Sequence, residues 1–322
     1  MTARFSPPTC YSHTLMRYIG IDIGGTTIKA GLVNETGQIL ESRKVPTATD
    51  DLSSFIANLA AVIGDFQKST RVDGVGVGVP GLRSSKTHAI EASPNIPCLN
   101  NVSLEDLVAD QVHMRVVSEN DANAGAYAEF VCGAGAGVRH MAYLTLGTGL
   151  GSGLILNGSL FSGASGFGGE FGHTTIDPVG RVCGCGNRGC LETLVSGTGI
   201  VRTAQEKMKQ APASRLHEVE HPLTAEIVYQ AAVRGDATAQ AVFVETGEVL
   251  GLACANLINL LNLEMIVIGG GVLASGDLLL RSAKYTAASR AFAASYRDCR
   301  IVQSKLWPDA GVIGAAMLAR DR

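Results

Sequence analysis

Charge is scarce in this chain: Asp, Glu, Lys and Arg make up 17% of its 322 residues, and the formal net charge is only -3. No basic block of the kind that tracks a nucleic-acid backbone is present, so no nucleic-acid partner is expected. No uninterrupted apolar run reaches the roughly 18 residues that a membrane span needs, so no membrane partner is expected either. The first fifteen residues, MTARFSPPTCYSHTL, lack the apolar core of a signal peptide. They are expected to be a disordered leader (1–15), or the product of a start codon placed too early, and to be dispensable for activity. The eight cysteines do not read as a secreted disulfide scaffold, because the chain is too long and too rich in core residues. Five of them (Cys10, Cys98, Cys132, Cys254, Cys299) are scattered and read as small core-filling or surface thiols. A reducing, cytoplasmic setting is expected.

What the chain has in quantity is glycine, 39 residues, and 46% hydrophobic residues, enough to bury the cores of two domains. Residues 18–47 read as a three-stranded meander with turns at Gly24-Gly25 and Asn34–Gly37. A helix is expected at about 51–67, a buried strand at 72–81 and another strand at 114–118 leading into a helix. The pattern then repeats: MAYLTLGTGLGSGLILNGSLF (141–161) is strand, glycine turn, strand, turn, strand. Two such meanders imply a duplicated α/β unit with a cleft between the halves. Residues 163–192 read as loop, helices follow to about 262, and EMIVIGGGV (264–272) is a buried strand. The small-residue helix at 310–320 is expected to return to the first domain. The expected division is 16–119 plus 309–322 as a small N-terminal domain, with 120–308 as a larger domain inserted in it.

Asp22-Ile23-Gly24-Gly25-Thr26-Thr27 follows the first strand. Adjacent glycines let backbone N–H groups approach phosphate oxygens, and Thr26 and Thr27 add hydroxyl donors. Asp22 is placed to hold Mg²⁺ through water. Taken alone the segment is equally an ordinary hairpin, but the second turn, Gly147–Gly151, has the same chemistry. Neither is a Walker A loop, because the glycines join strand to strand. Asn120-Asp121-Ala122-Asn123 lies between a strand and a helix. Asp121 is either a helix cap or a general base that accepts a hydroxyl proton during phosphoryl transfer.

His173, Cys183, Cys185 and Cys190 form a tetrahedral Cys₃His set for structural Zn²⁺, with glycines supplying the tight turns. Glu170 and Glu192 flank these ligands and are either solvated acids or acceptors for sugar hydroxyls. Ser93-Pro94-Asn95 is a turn pair with weaker meaning. The six other histidines receive no role.

Together DIGGTT, NDANA, LGTGLG, GEFGH, CGCGNRGCLE and the late IGGG resemble the ROK family of sugar kinases, repressors and related open reading frames. The likeness runs from about residue 18 onward and is nearest to the zinc-containing, ATP-dependent glucokinases of that family. It implies the α/β actin-like (ribonuclease H-like) ATPase fold, two domains closing over the sugar, and a homodimer. It implies that Asp121 activates the 6-hydroxyl of a hexose. Asn95, Asn120, Asp121, Glu170, His173 and Glu192 would contact the sugar. Asp22, Gly25, Thr26, Thr27, Thr148 and Gly270 would lie along the nucleotide, and His173, Cys183, Cys185 and Cys190 would bind zinc.

Glucose is the first expected acceptor; N-acetylmannosamine, N-acetylglucosamine and allose are the alternatives, with selection in the loops Gly81–Asn95 and Gly163–Gly169. ATP is expected as donor, since polyphosphate-using relatives often lack the zinc cysteines. A sugar-responsive repressor ranks far below an enzyme, because about twenty residues before Asp22 are too few for a winged helix-turn-helix. A sugar-binding module without turnover is disfavoured by the retention of both phosphate turns.

Overall fold

The computed structural model describes residues 16–48, 51–275 and 277–322; the expected leader lies outside them. The first meander forms β1 (Arg17–Ile23), β2 (Thr27–Asn34) and β3 (Ile39–Pro46), followed by α1 (Leu52–Ser69) and β4 (Gly74–Val79). A small hairpin, β5 (Leu82–Arg83) and β6 (Ile90–Ala92), precedes α2 (Leu104–Val112), β7 (Val116–Asn120) and α3 (Asp121–Val131). The second meander forms β8 (Met141–Leu146), β9 (Leu150–Leu156) and β10 (Ser159–Phe161). Four helices follow: α4 (Glu192–Val195), α5 (Gly197–Met208), α6 (Ala225–Val233) and α7 (Ala237–Leu261). The chain ends with β11 (Met265–Gly269), α8 (Asp277–Arg290), α9 (Ala293–Asp298), β12 (Arg300–Gln303) and α10 (Ala310–Asp321).

Two five-stranded sheets result, in the orders β3-β2-β1-β4-β7 and β10-β9-β8-β11-β12. Each has an antiparallel meander on one side and two parallel strands on the other, so the duplication seen in the sequence is also topological. Side-chain alternation assigns the faces. Ile19, Ile21 and Ile23 of β1 pack with Phe55, Leu59 and Phe66 of α1, while Tyr18 faces Val312 and Ala316 of α10. In the second sheet, Leu144, Leu146, Ile266 and Ile268 face the core formed by the later helices, while Met141, Tyr143 and Val267 face Ala126 of α3. Helices α10 and α3 pack on each other between the sheets. The return of the last helix to β1 and β4 follows from its small residues, among them Ala315, Ala316 and Ala319, which are nearly inaccessible.

Helix α7 is long and apolar enough to cross a membrane by length and composition, although Glu245 and Glu248 interrupt its apolar run. Here it is a core helix, with Phe243, Leu250 and Ile258 fully covered by the second-half core.

The fold places the functional segments together. Asp22, Gly78 and Glu119 are in register near the carboxyl ends of parallel strands, as are Thr145 and Gly269 in the other sheet. Open α/β sheets bind ligands at such strand ends.

Candidate active site

Geometry decides which of Asn120 and Asp121 caps α3. Asn120 is the N-cap of α3: its side-chain oxygen accepts from the N–H of Ala122 at 2.9 Å and of Asn123 at 3.1 Å. Its amide donates to the Gly81 carbonyl at 3.2 Å. Asp121 is therefore relieved of capping and stands at the first helical position, its carboxylate accepting from the neighbouring Ala122 N–H at 2.9 Å and from its own backbone N–H. Burial, then the negative charges of Asp22 and Glu170, push its pKa from an ordinary 3.8 up to about 6. A carboxyl tuned in this way has a proton affinity suited to general-base chemistry near neutrality.

Asp22 ends β1 beside the first turn of α10. A Cβ at Gly311 would lie 2.6 Å from the Asp22 carboxyl carbon, so only glycine allows this approach. Burial raises the Asp22 pKa; Lys29 opposes the rise and Asp309 adds to it. A half-buried carboxylate beside a helix N-terminus, close to the Asp121 carboxylate, is a donor set suited to a hydrated divalent cation.

The two glycine turns are built differently. In the first, Gly24 N–H donates to Thr27 O at 3.0 Å, and Thr47 clasps the turn through Thr26 O at 3.0 Å and Gly24 O at 2.7 Å. Gly25, Thr26 and Thr27 are exposed, and Asn95 lies directly beside Gly25. In the second, Gly147 N–H donates to Gly149 O at 2.9 Å, and Gly197 N–H donates to Gly147 O at 2.8 Å. Thr198 donates to Thr148 O at 3.1 Å, and the Leu150 N–H donates to a Glu192 carboxylate oxygen at 2.9 Å. Thr148 is exposed at the tip, and Gly270 lies against the Leu146 backbone. Next to Gly269 opens a recess of about 120 Å³ lined by Leu273, Gln303, Ser304 and Trp307.

The metal set is also assembled. His173 Nδ1 lies 3.6 Å from Cys183 Sγ, Cys185 Sγ lies 3.7 Å from Cys190 Sγ, and all four ligand atoms fall within 4.8 Å of one another. Tetrahedral bonds of about 2.3 Å to sulfur put ligand sulfurs about 3.8 Å apart, so the residues fit a zinc-type ion. Burial pushes the Cys183 thiol up to about 12, while the Asn187 backbone N–H holds Cys185 below its usual value. A cation would supply the charge that a buried thiolate needs. Glu192 begins α4 two residues after Cys190, with one oxygen 3.6 Å from Cys183 Sγ and the other on the Leu150 N–H. It thus ties the metal loop to the second glycine turn. Glu170 sits at the exposed rim; loss of water raises its pKa, with His173 opposing and Glu192 reinforcing.

The sequence-derived candidates therefore gather in two groups. Asp22, Gly25–Thr27, Asn95, Asn120 and Asp121 belong to the first-sheet end; Thr148, Glu170, His173, Gly270 and Glu192 belong to the second. Asp121 is electrostatically coupled to both. Sequence reasoning missed Gly311, Thr47, Thr198 and the Trp307 recess. Gly311 and Trp307 reach the site from the far end of the chain, while Thr47 and Thr198 lie just outside the segments whose chemistry stands out in the sequence.

Residues 18–322 match the protein-family model described as ROK family. The chain belongs to the ROK family. A glucokinase of Halalkalibacterium halodurans is 38% identical over 317 residues, covering 95% of each chain. A glucokinase of Thermotoga maritima is 35% identical over 314 residues, covering 95% of this chain and 98% of the other. Among solved structures, a ROK family glucokinase from Streptomyces griseus in complex with glucose and AMPPNP superposes with a TM-score of 0.84 at 34% identity. It covers 95% of this chain and 100% of that one. The α/β fold is the actin-like ATPase fold of ROK sugar kinases, as the resemblance implied.

Proposed function

We propose that this ROK protein is an ATP-dependent hexose kinase with glucose as its foremost acceptor. The observation that carries the reading is Asp121: freed from capping by Asn120, tuned to about 6, and coupled to both glycine-turn groups. Asp121 takes the proton of the sugar 6-hydroxyl as that oxygen bonds to the γ-phosphorus. The bond between the γ-phosphorus and the bridging oxygen breaks, and ADP leaves with its electron pair. Asn95, Asn120, Glu170, His173 and Glu192 orient the sugar, and removing its freedom of motion is a large part of such catalysis. Gly25, Thr26 and Thr27 face one end of the triphosphate, while Thr148 and Gly270 face the other, with the Trp307 recess adjacent for the base. Asp22 would hold Mg²⁺ through water, and that ion would neutralise phosphate charge. His173, Cys183, Cys185 and Cys190 would hold zinc, which stiffens the loop carrying Glu170 and Glu192.

Residues 16–119 with 309–322, and 120–308, are proposed as the two closing bodies. Cys185 and Cys190 sulfurs 3.7 Å apart are thiols rather than the roughly 2.05 Å pair of a disulfide, in keeping with a reducing, cytoplasmic setting. A homodimer is proposed through the α7–α8 face. Val244, Leu252, Tyr285 and Leu260 are exposed there, while Glu248 and Arg290 line one groove. Opposite charges on one face suit a two-fold self-complementary contact. Leu252→Asp with Tyr285→Asp should give monomers by light scattering, and a monomeric wild type would refute the pairing.

The function itself is tested by ADP release with glucose, mannose, allose, fructose and the N-acetylhexosamines. ATP with glucose is expected to give the highest kcat/KM. A better N-acetylhexosamine would move the substrate, and no release with any sugar would overturn the reading.

A further inference from the structure

Away from the reacting groups, loops from the two sheets touch directly. One is the β5–β6 hairpin, which follows Gly81. The other is the segment 162–169, which follows β10 and leads into Glu170. The Ser85 N–H donates to the Ser165 carbonyl at 2.9 Å. Gly166 has φ +93°, and a Cβ there would lie 2.6 Å from Ser85 N and collide with the Arg83 carbonyl. The contact is thus made by backbone, at a spacing that no side chain at residue 166 permits.

Both sides are anchored. Arg83 donates through Nε to Ser118 Oγ at 2.7 Å and pairs with Glu105 at 2.9 Å, both side chains about 10% exposed. Ser84 Oγ accepts from the N–H groups of Lys86 and Thr87 at 3.3 Å. On the other side Gly168 N–H donates to Ser162 O at 2.8 Å, and Ser152 Oγ bonds the Gly169 carbonyl and the Phe171 N–H. Each side also leads straight to the site. Gly81, two residues before Arg83, accepts from Asn120, the cap beside Asp121; Glu170 comes four residues after Gly166. Neither sheet needs this contact for its own strand pairing.

We propose that residues 83–85 and 165–166 form a backbone latch across the mouth of the cleft, which holds the acceptor pocket shut. They are positioning residues for Glu170 and Asn120, and they set sugar affinity rather than the chemical step. This rests on the hexose kinase reading above.

The latch is breakable from either side. Gly166→Ala adds the colliding Cβ, and Ser85→Pro removes the donating N–H. Gly158→Ala is the control: it has φ +75° and nothing within 4 Å of its Cβ, so it carries similar local strain without touching the latch. Steady-state kinetics and melting temperature are measured for wild type and all three variants. Both latch variants should raise the hexose KM by roughly tenfold or more, with kcat within about threefold and the ATP KM unchanged, because uniform sugar binding is lost. They should also release more ADP without sugar, since water enters an unlatched site. Gly158→Ala should match wild type in all of these. Wild-type hexose KM in both latch variants would overturn the proposal. So would a fall in kcat, a rise in ATP KM and a lower Tm shared with Gly158→Ala, which would mark a structural role alone. A wild type that phosphorylates no hexose refutes the kinase reading and takes the latch down with it; an active wild type with unchanged variants refutes only the latch.

Discussion

The two halves share a strand order and a glycine turn at the same place in it, yet they hold that turn by different means. The first turn is clasped by one threonine, Thr47, 23 residues beyond Gly24 and just past the end of the same meander. The second is braced from outside its sheet, by Gly197, Thr198 and the Glu192 carboxylate that sits beside the metal set. The duplicated framework supplies two similar backbone cradles; the material inserted between β10 and α4 makes the second one depend on a fixed loop. The site is therefore asymmetric in its supports although it is symmetric in its strands. Asp121, the proposed base, stands at the junction and feels carboxylates from both sides.

Four experiments sharpen or break this contrast. Asp121→Asn has the largest expected effect: kcat should fall by at least about 10²-fold while sugar binding remains measurable by calorimetry. Because the folded pKa of about 6 lies above the ordinary 3.8, the carboxyl adds stability below about pH 4 and loses it as pH rises through 6. At pH 7.5 the charged form is strained, so Asp121→Asn should be more stable than wild type, by roughly 1–3 kcal/mol in urea titration. For the same reason wild-type kcat/KM should drop about tenfold per unit below pH 6. A rate flat down to pH 5 would remove Asp121 as the base.

Cys185→Ser comes next. Loss of a direct ligand should cost at least the roughly 10–100-fold in metal affinity or activity that follows the loss of a group that merely orients a ligand, read by mass spectrometry and turnover. Hydrogen exchange should rise across 163–192 and the second turn but not across Gly24–Thr27. Equal loosening of both turns would dissolve the asymmetry. Glu192→Ala leaves the buried Leu150 N–H unpartnered, at a cost of about 1–3 kcal/mol, and should raise the ATP KM accordingly. The smallest effect is expected from Thr47→Val, which removes one bond to Gly24 O, worth about 1 kcal/mol, and so at most about fivefold in ATP KM. If Thr47→Val proved the more damaging of the two, the first turn would be the more dependent one.

Much of the site is legible in the sequence because its chemistry is packed into short spans. DIGGTT and LGTGLG are turns built from residues adjacent in the chain. The Cys₃His set falls within eighteen residues, so its spacing alone restricts it to a tight loop. Both meanders show their strand period and turn residues without any tertiary information. The contribution of Gly311 is different: it meets Asp22 from the far end of the chain, and nothing local to either residue signals the other. The clasp of the Gly81 hairpin through Arg83, Glu105 and Ser118 is likewise spread over three elements. Helix α7 is legible as an apolar helix in the sequence, but its place in the core is visible only once its neighbours are in position.

The sequence by itself determined the two glycine turns, the metal-ligand set and the duplicated strand pattern, because each depends on residues close along the chain. Tertiary structure decided which of Asn120 and Asp121 caps the helix, which carboxylates face one another, and which loops meet across the cleft. Those outcomes depend on burial and on distances between remote segments, and the proton affinity of Asp121 exists only once Asp22 and Glu170 have been folded toward it.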